Sequence, residues 1–130
     1  MASSSLSRRT SLLATLFLAL GSFACGPAEL DAVPEKLLGI WKTRGARYEN
    51  RFVEIHPEKF IVGVKHQDMD RIMIRAVDHR RGRDGGHEYR LHYQANEGYD
   101  DALVVRYHES FVPTVKFGEI PHLWTRVDSR

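Results

Sequence analysis

Seven histidines run through the chain, at His56, His66, His79, His87, His92, His108 and His122, and neutral imidazoles are common ligands for transition metals. Their spacing argues against a metal centre. None form the His-x-x-x-His pair that a helix brings to one face, and His87 and His92, five apart, fall on opposite faces of a continuous strand. Most lie at or near expected strand ends, where solvated histidines are common, so no metal and no cofactor is expected. Nucleophilic catalysis needs a base, a nucleophile and an oxyanion donor in one place. Asp100 and Asp101 are adjacent and would point apart in a strand, while Ser110 and Ser129, the serines beyond residue 25, belong to no nucleophile motif. The expectation is a protein that is not an enzyme. The densest cationic stretch, "DHRRGRDGG" (residues 78–86), carries Arg80, Arg81 and Arg83. It suits either lipid headgroups or an acidic partner, or else a solvated hairpin tip whose Gly82, Gly85 and Gly86 supply turn conformations.

The elements that would position these groups are strands. From Gly39 onward apolar residues recur with period two: in residues 48–56, 59–66, 71–79, 87–94, 101–110, 114–120 and 122–127. "HEYRLHYQ" (87–94) is the clearest, with Tyr89, Leu91 and Tyr93 on one face and Glu88, Arg90 and His92 on the other. Turn chemistry separates the runs at residues 66–70, 80–86 and 95–100 and at Pro113. With a strand at 41–43 the count is about eight, and no long helical period intervenes. The fold class expected is all-β, a small closed or nearly closed antiparallel up-and-down barrel, because closure removes the sheet's two edges. One alternating set would line its interior: Phe60, Val62, Ile72, Ile74, Tyr89, Leu91, Tyr93, Leu103, Val105 and Tyr107. That set serves equally as a pocket for a small amphipathic ligand or as a core filled by its own side chains.

The first segment stands apart. Arg8 and Arg9 precede an apolar run at residues 11–21, too short for a permanent membrane span, and small residues lead to Cys25. Residues 1–24 read as a signal peptide. Those arginines are two of the chain's 19 Lys and Arg, and no acid lies among residues 1–24, so the remainder balances 17 basic against 17 acidic residues. Such a balance calls for no nucleic acid. Cys25 is the chain's single cysteine and cannot form an internal disulfide. "SFACG" resembles a bacterial lipoprotein signal, which implies that Cys25 is diacylated and becomes the N-terminus. Ser22 departs from the aliphatic residue usual in that motif, and simple cleavage before Cys25 would instead leave a free thiol. Residues 25–36, with Pro27 and Pro34, then read as a lipidated cysteine and tether, with one helical turn behind Pro34, and residues 37–130 as the domain.

"LLGIWKT" (37–43) opens that domain with Gly-x-Trp, and "LWTR" lies near its end. These resemble the first and last strands of calycin-type, lipocalin-like barrels. The resemblance implies that Gly39, Trp41 and Arg126 close the barrel, the guanidinium lying across the indole. A buried tryptophan in a β-sandwich would carry the same Gly-x-Trp. The functional expectation is a non-enzymatic lipoprotein of the cell envelope, anchored to the membrane by lipid at Cys25. It would bind a small apolar ligand or a protein partner. The alternative is a structural or interaction module with a filled core. Gly26, where an acidic residue would hold some lipoproteins at the inner membrane, points by the same resemblance to the outer membrane; a soluble periplasmic or secreted protein is the alternative.

Overall fold

Period-two alternation does become strand through most of the chain. The computed structural model describes residues 26–82 and 84–127. It holds β1 (Ala28–Leu30), β2 (Gly39–Lys42), β3 (Arg51–Ile55), β4 (Lys59–Val64), β5 (Gln67–Met73), β6 (Ala76–Arg81), β7 (His87–Gln94), β8 (Asp100–His108), β9 (Thr114–Phe117) and β10 (Trp124–Val127). A 3-10 turn at Glu35–Leu37 follows Pro34, whose fixed φ suits a helical entry. The signal peptide, Cys25, Arg83 and Ser129 lie outside the described residues.

All strands join one antiparallel sheet in the order β1-β6-β7-β8-β9-β10-β2-β3-β4-β5. This corrects the expectation of an eight-stranded closed barrel of lipocalin type. The sheet has ten strands and is open, with β1 and β5 as its edges. The physical reason lies at residues 71–79, read above as one strand. Alternation from Ile72 and Ile74 would set Ala76 inward, but the backbone changes partners midway and Val77 faces the core instead. Ile74 N–H donates to Glu58 O on the β4 flank (2.9 Å), and Arg75 N–H donates to His92 O on the β7 flank (2.8 Å). The first part thus becomes β5, paired with β4, and the second becomes β6, paired with β7. No ladder joins β5 to β6, so the hydrogen-bond ring of a closed barrel is broken there. The flanks meet through side chains instead, with the Phe60 and Tyr93 rings 5.4 Å apart, edge to face.

Two further differences concern the ends of strands. Residues 66–70, read as a turn, mostly belong to β5; the turn is Lys65–His66, with Lys65 at φ 61°. Within the stretch read as a tether, Ala28–Leu30 forms β1 and covers the free side of β6 from Val77 to His79.

The core is built from the inward face of the sheet and capped by the segment before β2. Val33 and Leu37 from that segment join Trp41, Val53, Ile55, Phe60, Val77, Leu91, Val105, Val115, Phe117 and Trp124 in one buried cluster. Glycine is needed where backbones and side chains crowd. Gly39 has φ 123°, and a Cβ there would stand 3.3 Å from Arg126 Cδ. A Cβ at Gly63 would fall 2.2 Å from Phe52 Cζ, beside the register shift between Val62 and Gly63.

Candidate functional site

The Gly-x-Trp strand pairs with the last strand. Arg126 stands opposite Trp41 in the β10–β2 ladder, and its guanidinium carbon lies 4.9 Å from the indole centroid. Trp41 is fully buried, and its Nε1–H donates to Leu37 O at 2.9 Å, while Arg126 also reaches Lys36 O. These contacts fasten the 3-10 turn over the end of the sheet. They do not close a barrel, because β10 and β2 are neighbours inside the sheet and its edges lie elsewhere. The assigned role of Gly39, Trp41 and Arg126 is therefore corrected from barrel closure to fixing the turn and the β2–β10 junction.

The ten residues nominated as lining all face inward, and they pack against one another. Phe60, Tyr89, Leu91, Val105 and Tyr107 belong to the buried cluster; Val62, Ile72, Ile74, Tyr93 and Leu103 are partly buried against it. The tyrosines of this set meet different polar groups. Tyr93 donates to Asp101 Oδ2 at 3.1 Å, and burial together with that carboxylate holds its phenol above the ordinary value. Tyr89 and Tyr107 flank the Lys36 ammonium, which stands 5.6 and 5.1 Å from their ring centroids.

The chemistry-bearing side chains gather around the β6–β7 hairpin. His79 Nε2 and His87 Nδ1 are 2.8 Å apart, their rings stacked with centroids 5.1 Å apart, and His79 also lies on Tyr89. One ring must donate and the other accept, so this geometry admits at most one extra proton between them. Burial, and then the charges of Lys36, His79 and Arg81, push His87 below the usual histidine value. On the opposite face His92 bonds Asp78 Oδ2 at 2.6 Å, so His87 and His92 do stand on different faces. Glu88 Oε1 lies 3.6 Å from Arg80 and 3.3 Å from Arg90, with its Oε2 3.7 Å from Arg106. A cleft of about 280 Å³ runs beside it, lined by Asp84, Gly86, His87, Glu88, Arg106 and His108 among others. Asp84 accepts from Gly86 N–H at 3.0 Å and faces His108 Nε2 at 3.4 Å; the Gly86 bond chiefly lowers its carboxyl below the ordinary range.

Among the described residues no group of three or more His, Cys, Asp or Glu side chains is arranged to hold a metal ion. His56 pairs with Glu54 at 3.0 Å, His122 packs on Tyr48, and His66 is exposed in the β4–β5 turn. Sequence reasoning missed the meeting of His79 and His87. The observed register makes the meeting possible, since pairing Arg81 with His87 puts His79 beside Tyr89 on the same face. The residues described as lining the cleft include no serine, threonine or cysteine.

No protein-family model, no curated protein and no solved structure shows significant similarity to this chain.

Proposed function

We propose that the protein is a non-enzymatic module of the cell envelope, held to the membrane by lipid on Cys25 and acting through its outer surface. The observation that carries this reading is the packing of the inward-facing set. All ten nominated lining residues belong to the buried cluster or pack against it, which favours the filled-core alternative over a ligand-holding cavity. The clefts beside Glu88, Ile72 and Ile74 are open to the surface.

Native mass spectrometry of the protein extracted gently from its own host tests the reading. The expected spectrum shows the lipidated chain without a second small molecule, and a hydrophobic fluorophore gains no emission on mixing. A reproducible extra mass that the fluorophore displaces would overturn it. Palmitate labelling tests the anchor: wild type takes up label and fractionates with membranes, and Cys25→Ala does neither.

A further inference from the structure

The strand register shows which parts of the molecule share an end. Arg81 stands opposite His87 and His87 opposite Tyr107, while His108 pairs with Thr114. The end of β6 and the β8–β9 connection (109–113) are thus side by side. β1 runs antiparallel to β6 with Ala28 opposite His79, so the described chain begins at this same end. The β4–β5 turn, Lys65–His66, lies at the other end, bonded to Asn50 before β3.

The shared end carries an unusual surface. Phe111 is fully exposed and Val112 largely so, at the tip of the β8–β9 connection. Exposed Arg80 and Arg81 end β6 at this same end of the sheet, across β7 from the β8–β9 connection, with Arg80 Nε 3.6 Å from Glu88, which Arg90 and Arg106 also engage. We propose that this end is a membrane-docking face, with Phe111 and Val112 entering the headgroup region of an anionic bilayer and Arg80 and Arg81 meeting its phosphates. A protein partner fits less well, because a stable protein interface buries about 800 Å² per side and this tip offers two apolar side chains. A bilayer asks for less: a few apolar side chains flanked by cations lie in its interface, and a second signal complements a lipid chain. The inference rests on the anchored reading above, which holds the chain's start, and therefore this end, near the membrane.

The test uses the full chain, extracted from its host and reconstituted in phosphatidylglycerol–phosphatidylethanolamine vesicles with brominated acyl chains. An environment-sensitive fluorophore is attached at Val112→Cys or at His66→Cys. The expected result is bromine quenching at position 112 and none at 66, with quenching at 112 diminished by Phe111→Ser or by Arg80→Gln with Arg81→Gln. All these positions are exposed, and an unchanged Tm confirms that the fold is kept. Equal response at both positions, with the protein still pelleting with vesicles, would overturn the docking face and leave the anchor standing. Shielding of position 112 by a co-purifying protein rather than by lipid would overturn it too. Wild type that takes the fluorophore and stays in the supernatant has a free Cys25, and then the anchored reading itself fails.

Discussion

Trp41 and Trp124 are both buried, but they use their indole N–H groups differently. Trp41 donates to Leu37 O, whereas Trp124 Nε1 has no acceptor among the described residues and packs on Phe117 and Tyr48. Replacing either by phenylalanine removes similar apolar area. Trp41→Phe also strips a buried carbonyl of its donor, so it should cost about 1–2 kcal/mol more than Trp124→Phe in urea denaturation. A double-mutant cycle of Trp41→Leu and Arg126→Met should return a coupling of about 0.5–1 kcal/mol, the size of a partly solvated cation–π contact. His87 sets a pH dependence. Its folded value is lowered, so the unfolded state binds protons more readily, and stability is complete above about pH 6.5 and is lost as pH falls toward the folded value. Melting curves across that window should show the fall, and His87→Gln should flatten it.

At the scale of elements, the change of partners between Ile74 and Arg75 divides one alternating run into two strands with different prospects. β7 is paired with β8 along its whole length and with β6 from His87 to His92, whereas β5 is paired on one side only, with β4. Hydrogen exchange should therefore be slowest in β7 and β8 and much faster in β5, where alternate amides point outward. Asp68, Asp70 and Arg71, with the irregular register at Val62/Gly63, make that edge a poor template for a further strand. Gly39 sits where the 3-10 turn enters β2. Gly39→Ala forces a side chain into φ 123° against Arg126 and should destabilise by about 1–3 kcal/mol, with Gly26→Ala as a near-neutral control.

For the whole molecule, the consequence is a division of labour between faces. The inner face packs into the buried cluster, and the two ends of the surface differ. One end holds the chain's described start, Arg80, Arg81 and the Phe111 tip; the other holds the Lys65–His66 turn. The inward set was legible because strand alternation places every second side chain on one face whatever the topology. The Trp41–Arg126 contact was within reach for a similar reason: a last strand returning to the first brings "LWTR" to Gly-x-Trp. The His79–His87 pair was not read, because it needs the register of a hairpin whose turn residues permit more than one.

The sequence by itself determined the all-β class and the face that most strand residues take, since these follow from local periodicity; Val77, which the alternation from Ile72 sets outward, lies in the core. Only the tertiary structure decided that the sheet stays open. The apolar residues of 71–79 are read as one alternating strand, yet the inward face shifts from Ile74 to Val77 where the backbone changes partners, and side-chain pattern carries no record of which neighbour a strand's N–H groups will find. The same holds for the interior. A list of apolar residues is the same for a cavity and for a core, and the distances between Phe60, Tyr93 and their neighbours made it a core.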